Sequence, residues 1–251
     1  MFVEIATAFV RFSMIFLPAA ALALLAVGAV RGKLPPVRAA WAIGTVAVLL
    51  GAWATGMVPL AKIGILMPPA TFVDPPYILI PLIGGALFLW ALGRFTPTGR
   101  TIIGGLDQRH LIGFQVFRVM GALFLFGWLM GDIPWQFALP AGIGDIWAGI
   151  AAMQALNALH RRAPDAQALV MRANVIGLLD FAVAVSTGLM TSEGFLHLMA
   201  FDAPNIINMY PLALFPAFFV PLFIAFHLFS LEAMKQEKSL GGSSVMLSRS
   251  E

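Results

Sequence analysis

The feature that most constrains this chain is a succession of long, unbroken apolar runs. A helix needs roughly 20 apolar residues to cross a hydrocarbon core of about 30 Å. Seven stretches reach that length, near residues 5–30, 39–58, 77–95, 111–131, 134–159, 167–190 and 210–231. Barrel strands would instead appear as alternating segments of about ten residues. The sequence therefore reads as an all-α integral membrane protein, a seven-transmembrane-helix bundle over residues 1–231 with a mobile polar tail over 232–251. Composition excludes the other classes: 60% of residues are hydrophobic and 11% charged, against about 45–50% and about 25% in soluble domains. Disorder requires the opposite balance. The first run carries Glu4 ahead of any basic residue and is longer than a signal core, so it is read as a permanent helix.

Loop charges give the orientation. A net charge of +3 in a soluble chain would suggest nucleic acid, but here the basic residues fall in alternate connections. One set holds Arg31, Lys33 and Arg38, then Arg94, Arg100 and Arg109, then Arg161 and Arg162, and finally Lys235, Lys238 and Arg249. The opposite set holds Lys62 beside Glu4, Asp74, Asp132, Glu193 and Asp202. Excess Lys and Arg stay cytoplasmic, which puts the N-terminus outside and the C-terminus inside. The partner this implies is a lipid bilayer, in a plasma membrane of the bacterial inner-membrane kind, and not a nucleic acid. The polar inner loop GRFTPTGRTIIGGLDQRH is explained by the same rule without a phosphate ligand.

Three charges sit near the middle of their spans: Arg118 in the fourth, Asp145 in the fifth and Asp180 in the sixth. Each costs about 2.5–3.5 kcal/mol at mid-bilayer on insertion scales, and such groups face the bundle interior. Helical spacing surrounds Arg118 with Gln115, Gly121 and Ala122, Asp145 with Ala138, Ala141, Gly142, Ala148, Gly149 and Ala152, and Asp180 with Ala173, Gly177, Ala184 and Thr187. Phe124, Trp147 and Leu178 mark the opposite faces. Small residues line close helix contacts in membranes, so the three charges are expected to converge. Two acids and one base leave a formal −1. Arg118 is expected to pair with one aspartate while the other holds a proton or faces water. Gln115 and Thr187 are the hydrogen-bonding neighbours of this substrate or proton site.

Proline and glycine mark further features. Pro140, Gly142 and Gly144 suggest a break or kink in the fifth span just before Asp145. Pro216 and Pro221 should bend the seventh, whose Phe215, Phe218, Phe219, Phe223 and Phe226 are read as lipid-facing. The apolar connections 58–76 and 191–209 are read as interfacial segments, with a lid over the bundle mouth as the alternative. Asn205 and Asn208 stand just outside the seventh span, as vestibule or cap residues.

Sharper chemistries find no support. None of the four lysines, Lys33, Lys62, Lys235 and Lys238, lies in a span to carry a retinal Schiff base. Histidines His110, His160, His197 and His227 offer no convincing haem pair. There is no HExxH, P-loop or dinucleotide fingerprint. The absence of cysteine removes thiolate catalysis and Cys-held metals. No cofactor and no metal are expected. The reading is a small-solute transporter or channel-like protein with a buried Arg/Asp network, possible proton coupling included. Two alternatives stay open: a non-catalytic accessory or assembly subunit bound to a membrane-protein partner, and an enzyme on a lipid-soluble substrate with the aspartates as acid and base.

Overall fold

A computed structural model describes residues 1–247 and shows a helical protein with no strand among the described residues. The elements are α1 (Phe2–Arg31), α2 (Pro36–Lys62), a π-helical turn (Ile80–Gly84) leading into α3 (Gly85–Phe95), α4 (Pro97–Gly104), α5 (Gln108–Gly113), a 3-10 stretch (Phe114–Gly121), α6 (Ala122–Leu129), α7 (Trp135–His160), α8 (Ala166–Thr191), a second π turn (Phe215–Phe219) and α9 (Val220–Leu247). Among the described residues, five rods are long and apolar enough to cross a membrane: Phe2–Arg31, Pro36–Lys62, Gln108–Leu129, Ala166–Thr191 and Phe215–Gln236. A sixth is added if α3 with its π turn and α4, bent by 90°, are taken as one span. The predicted fifth span is α7, 26 residues with ten alanines and glycines along it and Asp145 among them. Of the polar tail, residues up to Leu247 continue α9 as helix, and 248–251 lie outside the described residues.

Local chemistry sets the bends. Thr96 is extended and its hydroxyl accepts from the Gly99 N–H at 3.0 Å, capping α4 behind Pro97. The chain therefore turns sideways after α3, and α4 lies against α1. The two approach so closely that a Cβ on Gly28 would meet the Ile102 carbonyl, and one on Gly105 the Gly28 carbonyl. Both π turns carry a proline at their start, Pro81 in IPLIG and Pro216 in FPAFF. A proline ring crowds the carbonyl four residues back, and widening the turn relieves the clash. Asp107 caps α5, accepting from the Arg109 N–H at 3.0 Å, and takes Arg31 of α1 at 3.0 Å and Arg109 at 2.7 Å on its other oxygen.

The second π turn and α9 form the centre. In the window from Phe215, 67% of residues are buried, against 11% for α2 at the periphery. The phenylalanines read as lipid-facing are thus core: Phe215, Phe218, Phe219, Phe223 and Phe226 are all buried. Phe226 stacks on Phe114 with centroids 4.2 Å apart, and Phe218 meets Trp53 edge-on at 5.5 Å. Phe124, assigned to an opposite face, is also buried, between Phe137 and Phe215. The connections 58–76 and 191–209 meet each other, the Phe195 N–H donating to the Pro69 carbonyl at 3.0 Å.

Of the break or kink expected at Pro140, Gly142 and Gly144, the break is not there: α7 is continuous from Trp135 to His160, with Pro140 inside it. Its glycines serve packing instead. A Cβ on Gly142 would strike Leu125, one on Gly144 the Asp180 carboxylate, and one on Gly149 Val119. Helix α7 packs most extensively on α8 and on the 3-10 stretch.

Two outcomes follow. Gly28→Ala should destabilise the protein by about 1–3 kcal/mol through overpacking, whereas Gly44→Ala, whose Cβ would meet nothing, should not; thermal unfolding in detergent compares them. Partial burial works to raise the Asp107 carboxyl, but hydrogen bonds from Arg109 and Arg31 outweigh it and hold the group below the usual carboxylate range. The stability it contributes is then full above its unfolded pKa of about 3.9 and is lost as pH falls further. Wild type should show no Asp107-dependent change between about pH 5 and pH 8 and a loss below about pH 4 that Asp107→Asn reduces, read by acid titration of helix content.

Candidate functional site

The 3-10 stretch builds the site. With three residues per turn, side chains at i and i+3 eclipse, so Gln115, Arg118 and Gly121 line one edge, and all three are buried. Ala122, which α-helical spacing would add to that stripe, is exposed. Gly121 lets α7 close in, because a Cβ there would meet Asp145. Gly144 does the same for Asp180 on α8, and the three charges converge.

Arg118 is fully buried and serves both carboxylates. Its Nε donates to Asp145 Oδ1 at 2.9 Å, and its Nη2 reaches Asp145 Oδ1 at 2.8 Å and also Asp180 Oδ2. Nη1 donates to the Gly177 carbonyl at 2.8 Å and faces His227 Nε2 at 3.5 Å. Every edge of the guanidinium fork thus has an acceptor, and its face lies 3.7 Å over the Phe181 ring. Gly177 is required here, since a Cβ would run into His227 and Arg118.

From His227 a directed chain of hydrogen bonds leads toward the basic end of the bundle. Asn174 spends its Nδ2 hydrogens on the Val170 carbonyl at 3.0 Å and on Ser230 Oγ at 2.8 Å. Its Oδ1 is therefore the acceptor for His227 Nδ1–H at 2.8 Å, which turns the Nε2 lone pair to Arg118. Ser230 Oγ donates to Gln108 Oε1 at 2.7 Å, and Gln108 Nε2 returns to the Ser230 carbonyl at 2.9 Å. All four residues are buried.

On the other side, Asp145 reaches a cavity of about 60 Å³. Phe124, Phe137, Phe181 and Phe215 wall it, and Asp145 and Asn208 supply its polar side chains. Asn208 donates to Ser192 Oγ at 3.1 Å, and Asn205 donates to Thr191 Oγ1 at 3.0 Å, so both asparagines tie the 205–208 segment to the end of α8. Among the described residues no group of three or more His, Asp or Glu is placed to hold a metal ion.

Residues 75–234 match the model of a protein family described as Domain of unknown function (DUF8737). The chain belongs to that family. No curated protein and no solved structure matches it. The matched DUF8737 region leaves out α1 and α2 and contains every residue of the charged cluster, the hydrogen-bonded chain and the cavity's polar lining.

Within this DUF8737 chain the structure brings Arg118, Asp145 and Asp180 together and gives the two expected neighbours other hydrogen-bond partners. Gln115 donates to the Phe223 carbonyl at 3.0 Å. Thr187 turns its hydroxyl back to the Val183 carbonyl of its own helix at 2.8 Å. Asn174, His227, Ser230 and Gln108 were not singled out as site residues. The available signal was polar side chains on the same faces as known ones, with Ser230 three residues beyond His227 and Asn174 three before Gly177.

Removing Arg118 leaves two buried carboxylates without a counter-charge. Arg118→Met should cost about 3–5 kcal/mol, and thermal unfolding of the detergent-solubilised protein measures it. A change below about 1 kcal/mol, the worth of an exposed pair, would contradict the geometry described.

Proposed function

We propose that this protein is a multi-pass carrier or channel-like protein that moves a small solute, coupled to a proton exchanged at the Arg118–Asp145–Asp180 cluster. The observation that carries the reading is one guanidinium bound to two carboxylates, with Asp145 lining a cavity. Ionised together, the three groups sum to −1 in a medium that does not hydrate them, so a proton or small cation completes the balance. The cavity of about 60 Å³ accommodates about two waters at ~30 Å³ each, enough to deliver a proton to Asp145. The hydrogen-bonded chain on the opposite side is a poor proton path: Asn174 separates His227 from Ser230, and a side-chain amide does not pass a proton along as a hydroxyl or imidazole does.

The reading takes seven crossings, with α7 and the bent α3–α4 unit included, the N-terminus outside and the cytoplasmic face at Arg31, Arg109 and Arg161. In this reading the cavity beside Asp145 gives access from outside, and release inward takes a second conformation. The eight-residue 3-10 stretch under Arg118 and the two π turns that touch each other supply the irregular helix at which such a change can be hinged.

Solid-supported membrane electrophysiology on proteoliposomes tests this with a panel of small anionic, neutral and cationic solutes. At least one solute should evoke a current that varies with pH, and Asp145→Asn should abolish that variation while the protein remains folded by circular dichroism. A silent panel, or a pH response unchanged in Asp145→Asn, argues for a cluster that only fixes helix order, as in an assembly subunit.

A further inference from the structure

A second feature lies away from the charged cluster, at the basic end of the bundle. A groove of about 640 Å³ opens there between α1, α5 with its 3-10 extension, and α7. Its two ends differ in chemistry. Arg31, Arg109, His110 and His160 form the rim, whereas Leu24, Phe117 and Leu156 form the walls below. The groove runs from Arg31 down to Ala20 on α1, about 16 Å at ~1.5 Å per residue, close to one leaflet of a core about 30 Å thick.

The rim carries uncompensated positive charge. Arg31 and Arg109 share a single carboxylate, Asp107, at 3.0 Å and 2.7 Å, and both guanidinium groups remain about half exposed, at 44% and 47%. Arg161 and Arg162 follow His160 directly in the chain. Asp107 also fixes the rim's geometry, because it caps α5 while holding Arg31 across from α1. A preset basic edge over an apolar trough matches an amphiphile with an anionic head, and basic pockets between helices at the cytoplasmic face take anionic lipid headgroups.

We propose that this groove is a binding site for one anionic phospholipid, its phosphate on Arg31 and Arg109 and one acyl chain along Leu24, Phe117 and Leu156. The lipid fills the gap between α1 and α7 and ties the rod outside the family-matched region to the helix that carries Asp145. This inference is independent of whether the protein moves a solute.

Native mass spectrometry of the full chain, released from nanodiscs of equal phosphatidylglycerol and phosphatidylcholine, tests it. Wild type should retain phosphatidylglycerol in preference to phosphatidylcholine. Arg109→Gln should cut that preference about fivefold, the worth of one basic side chain at an anionic surface. Ala23→Phe, at an exposed position on the groove's wall, should reduce retention of both lipids with the protein still folded. Arg38→Gln, on the same face of the bundle but outside the groove, should behave as wild type. Equal retention of the two lipids overturns the proposal, as does an equal effect of Arg38→Gln and Arg109→Gln. Dimers that exclude lipid would also overturn it, because a second copy of the chain would then cover the groove.

Discussion

A single buried guanidinium answering two carboxylates is the constraint around which this protein is built. Hydrocarbon offers no water to solvate the charges, so Arg118, Asp145 and Asp180 must find one another across three separate rods. That demand reaches into the backbone. Gly121, Gly144 and Gly177 each sit where a Cβ would occupy the space of a charged or imidazole group. The 3-10 winding of 114–121 then turns Arg118 onto the same edge as Gly121. Small residues on the facing sides of α7 and α8 let the carboxylates approach, as expected where helices gain by close contact and not by expelling water.

The cluster's surroundings are asymmetric. Toward the basic end, His227, Asn174, Ser230 and Gln108 hand hydrogen bonds away from Arg118 in one direction, and each group is used. A fully satisfied polar chain of this kind holds its members rigidly. Toward the other end the polar contacts stop at Asp145, and a small cavity with phenylalanine walls begins. The rigid side and the open side together define a one-sided site. The outer segments bear on it as well, because Asn208 joins the cavity to Ser192 at the end of α8.

The legible part of the site was its charge. Three ionic residues in apolar runs announce themselves by their transfer cost, and their small neighbours give their direction. Neutral polar residues were harder to read. Asn174, Ser230 and Gln108 incur far less cost in a helix, and each draws its importance from a partner 50 or more residues away. The glycines near 140–144 left a break open for a related reason: glycine serves equally for a break and for close packing, and only the neighbour across the gap decides. Pro140 itself lies inside a continuous α7.

From its sequence alone, this chain is bound to be helical, to suit a bilayer and to hold a few charges away from lipid, because run length and transfer cost are properties each segment has by itself. The tertiary structure decided which rod is central, which phenylalanines are core, where the helix tightens under Arg118 and which polar groups complete its surroundings. The physical reason is that lipid tails are as apolar as a protein interior. Hydrophobicity therefore separates membrane from water, but it does not separate a face turned to lipid from one turned to another helix.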